Sequence, residues 1–212
     1  MKKRFMVKVC GITRPKDARL AEQLGADMIG LIFYRKSPRF LSQRNAARVV
    51  KGVSPAVRTV GVFVDEPFGR IVRVAQKLRL DMVQLHGNEP VSLIRHLQRE
   101  GLKVIKAFSM QDNADLDKIR NSAADMMMLD HRTAELPGGT GETFDWTIKP
   151  PKKLPCLVLA GGISADNVAE GVRRFNPLMV DVNSSVETRP GTKSEQKLKA
   201  FFAACDRIRY GR

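Results

Sequence analysis

The sequence predicts an α/β protein, a (β/α)8 TIM barrel in which residues 1–212 form a single compact domain. Eight short apolar runs alternate with longer amphipathic stretches. Strands separated by helices pair in parallel, because a parallel crossover needs a dozen or more residues. Eight units in this length average about 26 residues each, near the lower size limit of such a barrel.

An open doubly wound sheet is the alternative fold. That fold usually has fewer strands and a Gly-rich turn directly after the first one. The first strand here ends in Cys10-Gly11-Ile12-Thr13, which lacks the G-x-G-x-x-G pattern. Gly-rich loops occur instead after the sixth and seventh strands, and this placement favours the barrel.

The eight predicted strands are apolar throughout, as expected for strands that are covered on both faces. They are rich in Val, Ile, Leu and Met, residue types that suit a buried parallel strand. They span residues 5–10, 28–33, 57–64, 81–85, 103–108, 125–130, 156–160 and 178–182.

Local signals mark the ends of several predicted helices. Gly25 ends the first helix and Gly101 ends the fourth, because glycine readily adopts the conformation that stops a helix. The Ser42 hydroxyl can cap the second helix. Pro67 suits the first turn of the third, where a missing N–H is no loss. The predicted helices span 15–25, 42–51, 67–78, 89–100, 112–122, 164–175 and 194–209, with a short one at 144–149 after a Gly-rich stretch at 137–143.

Composition excludes several classes of protein. A chain that is 43% hydrophobic is too apolar to be intrinsically disordered. The longest apolar runs contain only a few residues, so we expect no membrane-spanning helix. Lys8 interrupts the apolar segment behind the basic N-terminus too early for a secretory signal. Three scattered cysteines predict neither a disulfide framework nor a metal site, so we expect a cytoplasmic protein.

The net charge of +15 is concentrated at the N-terminal end of the chain. Residues 1–60 carry 14 Lys and Arg against 3 acidic residues. Such an excess is typical either of a nucleic-acid footprint or of a surface suited to an acidic small molecule. No basic run exceeds the KKR at 2–4, and the aromatic residues are not interleaved with basic ones. These patterns disfavour nucleic acid as a partner.

Glycines and hydroxyl groups follow the last two predicted strands. In a (β/α)8 barrel the active site lies at the C-terminal ends of the strands, and the loops after strands seven and eight often bind phosphate. Gly161-Gly162 would let the backbone approach an anion, and Asn183-Ser184-Ser185 would add hydrogen-bond donors. The alternative is a pair of ordinary turns.

Cys10 and Asp130 are a candidate base and acid at two other strand ends. A cysteine acts as a base if basic surroundings favour its thiolate, although most free cysteines are small buried hydrophobes. A carboxylate that closes an apolar strand must be hydrogen-bonded or used, which makes Asp130 a candidate general acid. Its alternative is an ion pair with Lys106 or Arg39.

His86 and Arg39 lie at two further strand ends. His86 follows the fourth strand and is either a pocket residue or a hydrogen-bonded structural group. Arg39 follows the second strand, and its guanidinium could bind a substrate carboxylate bidentately. The alternative for Arg39 is a solvated loop charge beside Arg35 and Lys36.

These segments resemble the phosphoribosylanthranilate isomerase family, which catalyses the third step from chorismate to tryptophan. The resemblance covers essentially the whole chain, and C-G-I-T, Q-L-H-G and G-G-T-G-x-x-F-D-W in this order are highly specific. The matching segments are VKVCGIT (7–13), GLIFYRKSPRFLS (30–42), VGVFVDE (60–66), VQLHGNE (83–89), VIKAF (104–108), MLD (128–130), GGTGETFDW (138–146), LAGGI (159–163) and VDVNSSVETRPGTK (180–193).

The resemblance implies an aldose–ketose isomerase that needs no cofactor and acts on a phosphorylated small molecule. Its reaction is the Amadori rearrangement of N-(5-phosphoribosyl)anthranilate to 1-(2-carboxyphenylamino)-1-deoxyribulose 5-phosphate. The family contains monomers and homodimers. The resemblance implies these roles: Cys10 as general base, Asp130 as general acid, Arg39 on the substrate carboxylate, and Gly161, Gly162, Asn183, Ser184 and Ser185 on the phosphate.

The chain departs from the family pattern at three positions. The family usually has Ser-Ser-Gly where this chain has 183–185, so we expect an altered turn after the eighth strand. Ser194 replaces an aspartate but can still cap the last helix, and His131 replaces a small hydroxyl residue. A histidine-pathway isomerase acting on a similar aminoaldose is the alternative enzyme, but that family carries an aspartate where this chain has Cys10.

Overall fold

Eight parallel strands close into a barrel whose strand order follows the chain, so the predicted fold class is confirmed. The structure is a computed structural model that describes residues 5–109, 119, 122–130 and 156–210. Every strand lies within one residue of its predicted span or inside it. The strands are β1 Met6–Val9, β2 Met28–Ile32, β3 Arg58–Phe63, β4 Met82–Leu85, β5 Lys103–Ser109, β6 Met126–Asp130, β7 Leu157–Leu159 and β8 Met179–Val182.

Six helices of the described residues flank the strands. The predicted cap of the second helix is confirmed, because the Ser42 hydroxyl accepts the Asn45 N–H at 3.4 Å. The helices predicted at 112–122 and 144–149, and the Gly-rich stretch between them, fall largely outside the described residues. The helices are α1 Pro15–Gln23, α2 Gln43–Val50, α3 Phe68–Leu78, α4 Val91–Arg99, α5 Val168–Phe175 and α6 Glu195–Tyr210.

Helix α5 begins at Val168, four residues later than the sequence predicts. The Asn167 side chain accepts the Ser164 N–H at 2.8 Å and donates to the Gly162 carbonyl at 2.9 Å. These two hydrogen bonds hold residues 164–167 in a turn that precedes the helix. The turn braces the end of β7, where a ligand-binding loop was predicted.

Alternation along the strands sorts the core into two layers. The larger layer lies between strands and helices and includes Val7 and Val9 of β1. The smaller layer fills the barrel interior with residues that come from the strands and their ends. Its buried members are Met28, Val60, Met82, Ile105, Ala107, Met128, Val158, Ala160 and Met179.

A short hairpin follows β8 that the sequence analysis did not predict. A 3-10 helix at Ser184–Val186 leads into β9 Glu187–Arg189, which pairs antiparallel with β10 Thr192–Lys193. Strands of two or three residues are too short to show an alternating pattern.

No helix in the described part of the chain combines the length and the apolar character needed to cross a bilayer.

Helix α6 ties the C-terminal end of the chain to the start of the barrel through Arg209. Its Nη2 donates to the Phe5 carbonyl at 2.7 Å and lies 3.3 Å from Asp27 Oδ2, and its guanidinium lies 4.9 Å from the centre of the Phe5 ring. The same Asp27 oxygen accepts the Val7 N–H at 2.8 Å. The last helix therefore stabilises the strand that closes the barrel.

We expect Arg209→Ala to lower the free energy of unfolding by about 2 kcal/mol, because it removes buried hydrogen bonds from a charged group. Urea denaturation followed by circular dichroism measures the change. Arg207→Ala, at an exposed position on the same helix, is the matched control and should change stability by less than about 0.5 kcal/mol. Equal losses in both variants would contradict this account of barrel closure.

Candidate active site

The pairing of β1 with β8 places Cys10 at the mouth of the barrel. The two strands pair Lys8 with Asp181 and Val9 with Val182, and the Cys10 N–H donates to the Val182 carbonyl at 2.9 Å. Cys10 therefore follows the last residue of β1 directly, as the sequence predicts. Its side chain is buried, with 5% of the residue exposed.

Gly30 of β2 makes room for the Cys10 side chain. A Cβ atom at Gly30 would lie 2.7 Å from Cys10 Sγ and 3.1 Å from Lys8 Nζ. The thiol and the ammonium group therefore flank the same small space inside the barrel. Lys8 is fully buried, and its Nζ lies 2.9 Å from Asp181 Oδ2.

The surroundings of Cys10 do not favour its thiolate to the extent that the sequence analysis expected. Burial has the largest influence and raises the pKa of the Cys10 thiol above its ordinary value. Lys8 and Lys193 pull the pKa down, whereas Asp181 adds to the rise. In the free protein Cys10 is consequently a thiol at neutral pH, with two cations that partly offset the cost of ionising it.

Asp130 ends β6 on the same mouth and is held by His86. The His86 Nε2 and Asp130 Oδ2 atoms are 2.9 Å apart, and Gln84 Nε2 lies 3.0 Å from His86 Nδ1. An amide nitrogen only donates, so Nδ1 accepts and the ring proton lies on Nε2, which donates to Asp130. His86 thus orients Asp130, and within the described residues no hydrogen bond uses the other carboxyl oxygen.

Lys106 and Arg39, the two cations considered as alternative partners of Asp130, each form an ion pair with a different carboxylate. Lys106 Nζ lies 2.8 Å from Glu89 Oε2, and Arg39 Nη2 lies 2.7 Å from Glu187 Oε2. Both pairs are buried. His131, which follows Asp130 in the sequence and departs from the family pattern, lies outside the described residues.

Arg39 is a buried residue rather than a solvated loop charge. Its Nε donates to both Glu187 oxygens at 3.0 Å, and its Nη2 donates to Oε2. Lys193 Nζ also lies 2.9 Å from Glu187 Oε1. Two cations thus share one carboxylate, which leaves an excess positive charge beside the mouth and suits an anionic ligand.

Burial opposes the ionisation of Glu187, yet its two cationic partners prevail. Hydrogen bonds from Arg39 and the charge of Lys193 hold the pKa of the Glu187 carboxyl below its usual range. Glu187 therefore stays ionised at neutral pH and keeps Arg39 in place. Among the hydrogen bonds of the described residues, none uses Arg39 Nη1, so this nitrogen can meet a substrate.

Gly11 brings the loops after β1, β2 and β8 into contact. A Cβ at Gly11 would lie 2.6 Å from Asn183 Oδ1 and 2.7 Å from Arg39 Cδ, and its φ is +70°. Only glycine fits this space and this conformation without strain. The second residue of the C-G-I-T segment therefore joins the predicted carboxylate-binding residue to the predicted phosphate-binding turn.

The backbone after β7 and β8 has the features expected of an anion site. Gly161 and Gly162 have φ values of +76° and +67°, the left-handed region that favours glycine. Within the described residues, the N–H groups of Gly162 and Ser184 donate no hydrogen bond. The Ser185 hydroxyl donates to the Ile163 carbonyl, which ties the two loops together and commits that hydroxyl.

The turn at 183–185 contains no position whose positive φ would call for glycine. No residue of this turn has a positive φ, and Ser184 and Ser185 open a 3-10 helix that any residue can adopt. The carbonyl oxygens of Asn183, in the backbone and in the side chain, each accept from Lys193 Nζ at 3.0 Å. The altered turn expected from the sequence is therefore accommodated by lysine contacts.

Four buried charged residues at the mouth and in the barrel interior below it were not identified from the sequence. Lys8 and Asp181 each interrupt an apolar strand at a position of inward-facing parity, and this signal could have found them. Glu187 and Lys193 lie in the hairpin, and nothing in their local sequence indicates that their partners are Arg39 and the turn after β8.

Comparisons with known proteins agree with this geometry. A family model described as N-(5'phosphoribosyl)anthranilate (PRA) isomerase matches residues 7–204. The N-(5'-phosphoribosyl)anthranilate isomerase of Geobacter metallireducens is 40% identical over 197 residues, which cover 92% of this chain and 96% of the relative.

Solved structures show the same similarity. The crystal structure of phosphoribosyl anthranilate isomerase from Thermotoga maritima has a TM-score of 0.88 and 38% identity, covering 95% of this chain and 98% of that one. Another crystal structure of the isomerase, in complex with reduced 1-(o-carboxyphenylamino)-1-deoxyribulose 5-phosphate, has a TM-score of 0.82 and 34% identity, with the same coverage of 95% and 98%.

We expect Glu187→Gln to lower the free energy of unfolding by about 3 kcal/mol at neutral pH, because it leaves two buried cations without their anion. The lowered pKa of Glu187 makes its contribution complete above about pH 4.3, the value of a free glutamate. The difference between wild type and variant should therefore shrink as the pH falls below that value.

Urea denaturation at several pH values measures this difference. Glu195→Gln is the matched control, because Glu195 pairs with Lys199 on the exposed surface of α6, where solvent screens the pair, and the substitution should change stability little. A difference for Glu187→Gln that stays constant down to pH 3 would contradict the assignment of its ionised state.

Proposed function

The chain belongs to the N-(5'-phosphoribosyl)anthranilate isomerase family, and we propose that Cys10 and Asp130 carry out the acid–base chemistry of the reaction. The reaction is an isomerisation in tryptophan biosynthesis, the Amadori rearrangement of N-(5-phosphoribosyl)anthranilate to 1-(2-carboxyphenylamino)-1-deoxyribulose 5-phosphate. The observation that supports this assignment is the position of a thiol and a carboxyl group at the ends of β1 and β6, on one mouth of one barrel.

The first step opens the ribose ring. Asp130 donates a proton to the ring oxygen, the bond from that oxygen to C1 breaks with its electron pair on oxygen, and the anilino nitrogen forms a C1=N iminium. The His86 N–H holds Oδ2 of Asp130, so that Oδ1 is the oxygen that carries the proton. A positioned side-chain acid of this kind accelerates a reaction by about 10²–10⁴-fold.

The second step moves the proton from C2. The Cys10 thiolate removes it, the C–H electron pair forms the C1=C2 bond, and the iminium electrons return to nitrogen to give an enolamine. The iminium cation close to Sγ favours the thiolate at this stage, offsetting the burial that raises its pKa in the free protein. Asp130 then takes the proton of the C2 hydroxyl while Cys10 returns the proton it removed to C1, which gives the ketone and restores the Asp130 acid and the Cys10 thiolate.

Substrate binding uses the excess positive charge around the mouth. Gly161, Gly162 and the turn at 183–185 bind the phosphate mainly through backbone N–H groups. Arg39 binds the anthranilate carboxylate through Nη1, since Glu187 occupies Nε and Nη2. The Ser185 contribution comes from its N–H, because its hydroxyl is committed to Ile163.

The remaining features of the proposal concern the whole protein. Residues 1–212 form one domain that acts in the cytoplasm as a monomer or homodimer, without a cofactor. We expect no nucleic-acid partner, because no basic run exceeds the KKR at 2–4 and the aromatic residues are not interleaved with basic ones. Cys10 favours this isomerase over the histidine-pathway isomerase, because that family carries an aspartate where this chain has a thiol.

We expect Cys10→Ser and Asp130→Asn each to lower kcat for phosphoribosylanthranilate by about 10²–10⁴-fold, because each removes a proton-transfer group and keeps the shape of the side chain. Steady-state turnover of the synthesised substrate measures the loss. Cys156→Ser is the control, since Cys156 lies at the opposite end of β7 from the mouth and should leave kcat unchanged. Near-wild-type kcat in either site variant would refute the assigned role.

We expect Gly162→Ala to raise KM about tenfold with little change in kcat, because it strains the phosphate loop and weakens a contact present in both ground state and transition state. Gly101→Ala imposes a similar positive φ in open space behind α4 and is the matched control. If both variants change KM equally, the loop after β7 does not bind the phosphate.

A further inference from the structure

We propose that Lys8, anchored by Asp181 inside the barrel, is the positioning residue that stabilises the thiolate of Cys10. The inference rests on the proposed role of Cys10 as the base. It goes beyond that role because it assigns a task to two residues in the barrel interior, below the mouth where substrate binds.

The geometry of β1 directs Lys8 toward the thiol. Residues two apart on a strand face the same side, so Lys8 and Cys10 both point into the barrel. Gly30 on the neighbouring strand leaves a space that touches both Sγ and Nζ, and any side chain there would separate them. Three adjacent strands therefore each contribute one residue to the contact between Lys8 and Cys10. Asp181 of β8 anchors the ammonium group, Lys8 of β1 supplies it, and Gly30 of β2 leaves room for it.

The hydrogen-bonding capacity of Lys8 is not exhausted by its anchor. An ammonium group has three N–H donors. Within the described residues, the hydrogen bonds of Lys8 use one acceptor, Asp181 Oδ2 at 2.9 Å. Lys193, the other cation near Cys10, has acceptors for all three of its donors in Asn183 and Glu187. Lys8 is thus the cation with donors left for the sulfur.

An ion pair is a costly way to fill this position. The neighbouring interior positions hold Met28, Met82, Met128 and Met179, and a methionine would fill the volume of Lys8 without a charge. Replacing a buried ion pair by apolar residues is often neutral or stabilising, so stability gives little reason for the pair. The pair has a reason to be there if the Lys8 ammonium group lowers the free energy needed to form the Cys10 thiolate.

The ionisable groups around Cys10 determine whether each substitution raises or lowers the pKa of its thiol. Burial by itself would lower the pKa of Lys8, but Asp181 and Cys10 together raise it, so the ammonium stays charged. Asp181 opposes the thiolate, Lys193 and Lys8 support it, and Asp130 and His86 face Asp181 from across the barrel. Removing the cation therefore raises the pKa of Cys10, and removing only the anion lowers it.

The test measures the ionisation of Cys10 without substrate. The ultraviolet absorbance of thiolate is titrated with pH in wild type, Asp181→Asn and Lys8→Met/Asp181→Asn, each against the same protein carrying Cys10→Ser. The double variant keeps the interior neutral and of similar volume, so it avoids leaving a buried charge unpaired. We expect its titration to move up by about one pH unit, a tenfold lower thiolate fraction, and that of Asp181→Asn to move down.

The pH profile of kcat/KM gives the second readout, because its ascending limb reports the essential base of the free enzyme. The limb should shift with the thiolate titration in both variants, to higher pH in Lys8→Met/Asp181→Asn and to lower pH in Asp181→Asn. A merely structural role of the pair would lower activity in both without this reversal. Unchanged thiolate titrations overturn the inference, whereas shifted titrations with an unshifted limb overturn the role of Cys10 as base and leave the Lys8 contact standing.

Discussion

The parallel pairing of β8 with β1 is the contact on which the rest of the molecule depends. It closes the barrel, and its register sets Lys8 opposite Asp181 and Cys10 beside the turn that follows β8. The proposed base, the ion pair beside it and half of the proposed phosphate site therefore come from two neighbouring strands at opposite ends of the chain. A one-residue slip would turn the lysine and the thiol out of the interior together.

The charges of the mouth act in two separate groups. Lys8 and Asp181 form a neutral pair inside the barrel, whereas Arg39, Lys193 and Glu187 form a group with one excess positive charge at the rim. In the proposed mechanism, the first group adjusts a proton transfer and the second attracts an anionic substrate. Most of the net charge of +15 belongs to neither group.

The fold and the positions of the candidate reactive residues could be predicted from the sequence because both depend on local patterns. Apolar runs located the strands closely, and the rule that barrel sites lie at strand ends selected Cys10 and Asp130. The ion pairs around the site could not be predicted from the sequence. Arg39 and Glu187 are 148 positions apart, and Lys8 and Asp181 are 173 apart. Such pairs depend on barrel closure, and no short window of sequence contains both members.

The shared carboxylate of Glu187 has a consequence for protein engineering. Barrel loops are often exchanged as independent modules, since each one follows its own strand. Here the loop after β2 supplies Arg39, the hairpin after β8 supplies Glu187, and Gly11 after β1 fits between Arg39 and Asn183. These three loops form one unit: a graft of the loop after β2 or of the hairpin alone would leave a buried charge without its counterion, and a graft that replaced Gly11 would clash with Arg39 and Asn183.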